Sequence, residues 1–167
     1  MHRRTTCAVL ALVAAFLGAS GDAGTHGARF VVVEAATGAV ALSRPVDDGQ
    51  QVRLEHTHSV TKRPVTTVFS LDSTAGLAMR EMRFDTFGAN LPVGPERIGE
   101  ETTTFLRGED EYRVLHHDRP LGAVRLMVGG PEVDHTVTLP GGERVRLLEL
   151  VASGTSVTLA VQAPTPR

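Results

Sequence analysis

The chain has 167 residues, with 17 Lys and Arg against 19 Asp and Glu, one cysteine and 4% aromatic residues. Nucleic-acid binding needs a basic footprint, usually with aromatic side chains for stacking, and the near-neutral balance and scarce aromatics exclude it. No signature of a cofactor site is present either, so no cofactor is expected.

The first segment, "MHRRTTCAVLALVAAFLGASGDAG", sets Arg3 and Arg4 before an apolar run from Cys7 to Ala19, then the small residues Ser20, Gly21 and Ala23. This is the order of a secretory signal peptide over residues 1–23, with an uncleaved anchor helix as the alternative. The apolar run, about 13 residues, is short of the ~20 that a membrane-spanning helix needs. The expected location is therefore extracytoplasmic, periplasmic or secreted, with no membrane span once the signal is removed. Removal would take Cys7 with it, leaving a domain that holds neither a disulfide nor a thiolate metal site. Its stability must come from a core, and about 140 residues suffice for one. A single domain over residues 24–162 and a disordered tail over 163–167 are expected.

Past the signal, apolar segments are short, rich in Val, Leu and Thr, and fenced by glycine or proline. "RFVVVEA" and "AVALSRPV" flank Thr37-Gly38, and "QQVRLEHTH" follows Asp47-Asp48-Gly49. "PVTTVFSLD" is followed by "GLAMREMRF", whose Ala, Met, Leu and Glu content leaves helix and strand open. "TTTFL", "EYRVLHH", "LGAVRLMV", "DHTVTLP", "ERVRLLELV" and "TSVTLAVQ" complete the series. About ten or eleven strands at roughly 8–12-residue spacing predict an all-β fold, an antiparallel sandwich or partly open barrel. The stretch from Phe87 to Glu100 carries no strand pattern, and a loop that long is a candidate to close over one end of a barrel and meet a ligand.

Strand alternation addresses the His-x-His of "RLEHTHSV". Val52, Leu54, His56, His58 and Val60 share one face, and Arg53, Glu55, Thr57 and Ser59 share the other. His56 and His58 thus fall on the apolar face, with His116 and His135 as further inward candidates by the same counting. Two histidines at i and i+2 could chelate a metal if a third arrived from a neighbouring strand, so His56, His58, His116 and His135 are the candidate ligands. The alternative is that each is a neutral core imidazole. His117 and Asp118, beside Pro120, read as a solvated strand end. Ser59 points away from His58, and no G-x-S-x-G elbow is present, which argues against serine-hydrolase chemistry.

"HSVTKRPVTTVF" followed by "EMRFDTFGANLP" resembles a bacterial family known as domain-of-unknown-function family eighteen-fifty. His58, Ser59, Val60, Pro64, Val65, Val68 and Phe69 carry its first motif; Glu81, Phe84, Phe87, Gly88, Ala89, Leu91 and Pro92 carry its second. Three positions depart: Thr67 replaces an acid, Asn90 a second glycine, and His56 an aromatic such as Tyr. The resemblance implies a small exported accessory of a TAXI-type TRAP transporter, with the solute receptor or the permease as partner. The expected function is a non-enzymatic accessory or binding protein, with a histidine-ligated metal enzyme or a purely structural domain as alternatives. Ligand or partner contacts are assigned to His58, Ser59, Pro64, Glu81, Phe87, Gly88, Asn90 and Pro92. In the structural alternative, Val60, Val65, Phe69, Phe84 and Phe87 form a small core around the hairpin.

Overall fold

A computed structural model describes residues 27–164, which form twelve strands and no α-helix. The expected signal segment lies outside the described residues, as does all of the expected tail except Ala163 and Pro164. No helix among the described residues is long and apolar enough to cross a membrane.

The strands are β1 (Arg29–Glu34), β2 (Val40–Pro45), β3 (Gln51–Thr57), β4 (Pro64–Asp72), β5 (Gly76–Phe84), β6 (Arg97–Ile98), β7 (Glu101–Thr102), β8 (Thr104–Arg107), β9 (Tyr112–Met127), β10 (Thr136–Thr138), β11 (Arg144–Arg146) and β12 (Ser156–Gln162). Ten of them make one antiparallel sheet in the order β11-β10-β3-β4-β5-β9-β12-β1-β2, with β8 pairing alongside β9. The sheet curls into a half-barrel, which realises the partly open barrel rather than the sandwich. Its two outermost strands come close at the seam, where the Arg44 guanidinium forks onto the Glu143 carboxylate at 2.7 and 3.0 Å. Such an exposed pair contributes little energy. Burial does more: Leu42 of β2 and Val145 of β11 both enter the main core, with Phe30, Val52, Phe69 and Leu77.

The ambiguous segment "GLAMREMRF" is strand β5. Leu77 and Met79 face inward, a bulge near Arg80 adds a residue, and Met82 and Phe84 then face inward again. The helix-favouring composition is overridden because β4 and β9 satisfy both edges of β5. Bulges of this kind bend the strand and tighten the curl. At the start of β5 a Cβ on Gly76 would lie 2.2 Å from the Gly122 carbonyl oxygen, so the β4–β5 turn can pack against β9 because position 76 is glycine.

Two expected strands, "EYRVLHH" and "LGAVRLMV", are one sixteen-residue strand, β9. Its first half pairs with β5 and β8, and its second half with β12. His117 and Asp118, expected at a strand end, are exposed but sit inside β9. Both have positive φ (54° and 58°) where the register with β5 shifts. "ERVRLLELV" is not one strand either: β11 ends at Arg146, and a 3-10 turn over Leu147–Glu149 buries Leu147.

The hairpin core differs from the expected set. Val65, Phe84 and Val114 form a small second cluster, with Met82, Leu91, Phe105 and Tyr112 packed on it. Phe69 belongs to the main core, and Val60 is 72% exposed because β3 ends at Thr57 and the chain turns before reaching it. Phe87 leaves 37% of its surface exposed, stacking on Tyr112 at a centroid distance of 4.3 Å. Phe87 and Leu91 thus tie the long loop to the second cluster and its aromatic neighbours.

This division makes the two phenylalanines unequal. Phe84→Ala is expected to cost about 3–5 kcal/mol as a buried aromatic. Phe87→Ala should cost about 1–2 kcal/mol, the scale of an aromatic pair with partial burial. Urea unfolding midpoints of the two variants check the order.

Candidate ligand-binding cleft

The turn after β3 is built around one side chain. His58 is 8% exposed, and its Nδ1 accepts hydrogen bonds from the backbone N–H groups of Val60 (3.3 Å) and Thr61 (3.2 Å). An acceptor capping the amides two and three residues ahead acts as an N-cap oxygen does on a helix. The His58 backbone closes the same turn, its N–H donating to the Arg63 carbonyl and its carbonyl accepting from Lys62. With Nδ1 an acceptor, Nε2 carries the proton, and it donates to the Ala89 carbonyl at 2.9 Å. One imidazole therefore joins the first sequence motif to the second.

The second motif is shaped to receive it. A Cβ at Gly88 would lie 2.9 Å from His58 Cε1, 3.0 Å from its Nε2 and 3.0 Å from the Thr61 methyl, so the loop packs on the ring because position 88 has no side chain. The Leu91 N–H donates to the Gly88 carbonyl across a turn in which Asn90 has φ of 66°. Glycine is easiest in that conformation, and asparagine is among the few other residues that tolerate it. The Asn90 departure thus keeps the backbone and adds an exposed amide. Thr67, a second departure, is buried and pairs with Leu54 and Met82. His58 does not depend on a carboxylate there, because backbone groups occupy both of its nitrogens.

Between this turn, the Gly88–Leu91 loop and the segment before β10 lies a cleft of about 330 Å³. His58, Ser59 and Asn90 line it, together with His56 and His135. Val65, Met82, Leu91 and Val133 supply its apolar wall. The rings of His56 and His135 stand 5.3 Å apart, centroid to centroid, and the Thr57 N–H holds the Val133 carbonyl at 2.7 Å. Val133 and Leu91 come from segments whose pattern gives no sign that they meet.

The other proposed residues lie elsewhere. Gly88 packs beneath the cleft on His58, and Phe87 belongs to the aromatic cluster. Pro92 is buried, and Pro64 is an exposed first residue of β4. Glu81 is on the outer sheet face, 6% exposed and clamped between the guanidiniums of Arg83 and Arg113. Burial pushes its carboxyl up, but hydrogen bonds and charge from Arg113 and Arg83 outweigh this and hold it below the ordinary glutamate range. The Glu81-x-Arg83 spacing on one strand face was the sequence signal for half of that clamp.

Three of the four metal candidates, His56, His58 and His135, line the cleft, and the fourth does not join them. His116 is buried without lining the cleft, and neither ring nitrogen has a hydrogen-bond partner among the described residues. Among the same residues, no group of three or more His, Cys, Asp or Glu is arranged to hold a metal ion. Hydrogen-bond polarity also opposes metal at this cleft. His135 Nδ1 accepts from the Gly129 N–H (3.2 Å), whereas a metal-bound histidine donates its other N–H to an acceptor.

Burial, with the charges of His135 and His58, lowers the His56 pKa to about 4. Burial lowers His135 against the pull of Asp134, and lowers His116 together with Arg119. These groups bind protons less tightly folded than unfolded, so they cost no stability above pH 6.5, the ordinary value. As pH falls below that value, the unfolded chain takes up protons first and stability drops; the His56 share levels off below about 4. Urea midpoints between pH 7 and 4 should fall less steeply for His56→Phe than for the parent. At pH 7, Gly88→Ala should cost about 1–3 kcal/mol through overpacking on His58. That cost should shrink by roughly half or more in a His58→Ala background, read as a double-mutant cycle.

No match was found among curated proteins or among solved structures. The profile of a family described as a domain of unknown function, DUF1850, matches residues 52–147, from β3 to the 3-10 turn, a span containing both motifs and every wall of the cleft. That match covers more than half of the sequence, and the chain belongs to this family.

Proposed function

We propose that the domain is a non-enzymatic binding accessory that works outside the cytoplasmic membrane, in the service of a TAXI-type TRAP transporter, and that the cleft is its recognition site. One observation carries this reading: both nitrogens of the motif histidine are committed to backbone groups that set the shape of the cleft. A histidine held in that way shapes a surface and has no free lone pair with which to act as a base or a metal ligand. Ser59 and Asn90, both exposed, stand at the rim with polar groups available to a ligand or partner. The N-terminal segment, with its charged, apolar and small-residue order, supports export. The solute receptor and the permease are the proposed partners.

The test is a pull-down of the receptor and permease with the tag-free protein, alongside native mass spectrometry and metal analysis of the same sample. A Ser59→Ala/Asn90→Gly double variant should stay within about 1 kcal/mol of parental stability, since both sites are exposed and glycine keeps the positive φ. It should lose most of the captured partner. Capture undiminished by the double variant would reject the cleft as the contact, and a near-stoichiometric bound transition metal would replace this reading with the metal-enzyme one.

A further inference from the structure

The charge distribution around the cleft indicates the chemical class of what it takes up. Three other clefts open on the same sheet, and all are lined with ions. One holds Arg53, Glu55, Arg83, Asp85, Asp110 and Glu111, a second Arg80, Glu81, Arg113 and Asp118, and a third, which shares His56 and Val65 with the histidine cleft, Glu55, Asp134 and Arg144. The histidine cleft has no Asp, Glu, Lys or Arg in its lining. Of the charges near its walls in sequence, Arg63 pairs with Asp85, Asp134 with Arg146, and Glu55 with Arg144, while Glu81, Arg83 and Glu132 also lie outside its lining. Its two facing imidazoles, His56 and His135, are held neutral by burial. A charged ligand entering such a cleft would lose hydration and find no countercharge.

Polar groups remain available to a neutral molecule. The Gly129 N–H occupies His135 Nδ1, so the ring's proton sits on Nε2, where it is a donor. His56 Nδ1 is buried with no hydrogen-bond partner among the described residues. Asn90 adds an amide and Ser59 a hydroxyl at the rim, facing the apolar wall of Val65, Met82, Leu91 and Val133. At about 330 Å³ the cleft is at the small end of the usual range for ligand sites.

We infer that the cleft binds an uncharged small molecule with a short apolar body and an amide-type or other carbonyl acceptor, the acceptor meeting His135 and Asn90 and the body lying on the aliphatic wall. This rests on the cleft being the recognition site proposed above, and it adds the ligand class.

Three probes of nearly equal shape separate charge from size: hexanamide, hexanoate and hexylammonium. Each is titrated at pH 7 into the full-length protein, and side-chain ¹H–¹⁵N signals of His56, His135 and Asn90 are followed. Hexanamide should shift these signals saturably, with both ionic probes binding at least tenfold more weakly. Asn90→Gly, which keeps the turn, should weaken hexanamide several-fold. Equal or tighter binding of either ionic probe at these signals overturns the uncharged class but leaves the cleft as a binding site. Silence from all three probes overturns the inference; an intact pull-down would then leave the cleft as a protein contact alone, whereas loss of both results removes the cleft reading altogether.

Discussion

The arrangement of the cleft depends on one buried imidazole. His58 accepts two amide protons on one side and donates to the Ala89 carbonyl on the other, so the β3–β4 turn and the Gly88–Leu91 loop become one unit. Each bond is worth only about 0.5–1.5 kcal/mol net, but leaving those buried groups without partners would cost more than the bonds contribute. Gly88 completes the arrangement by leaving room for the ring. A hairpin turn and a long loop, neither stable alone, are thereby held against the second hydrophobic cluster.

The curled sheet performs the corresponding task on a larger scale. Bulges in β5 and β9 bend the ladder so that one face is concave and holds both cores. The convex face then carries the charged residues, with Glu81 between Arg83 and Arg113 and Glu55 beside Arg144. Ions on the convex face and neutral imidazoles at the rim of the concave one follow from this inside–outside division. Strands β1, β2 and β12 lie outside the family match and supply much of the main core, so the cleft-bearing part rests on a sheet extended by the rest of the chain.

The three departures from the family motifs can be read physically. Asn90 conserves a left-handed backbone while adding an amide to the cleft rim. His56 puts an imidazole against His135 where an aromatic ring is expected, which keeps a flat packing surface. Thr67 places a small neutral side chain between Leu54 and Met82 on a buried face, where an unpaired carboxylate would be costly. Only Thr67 stands in place of an acid, and it lies outside the cleft lining.

Much of the fold was written in local pattern. Short Val- and Thr-rich runs between glycine turns determined an all-β chain, because side-chain alternation and turn chemistry act over a few residues. The paired motifs singled out His58, Ser59, Gly88 and Asn90. Alternation failed where the strand did: Val60 was assigned to the buried face by counting past Thr57, but the turn had already reversed the chain. What only the tertiary structure decided was which distant segments meet. His135 and Val133 close the cleft through β10 pairing with β3, and Glu81 is removed from it because a bulge sets its side chain on the convex face. Long-range register and bulge position depend on the neighbouring strands, and no window of sequence contains both partners.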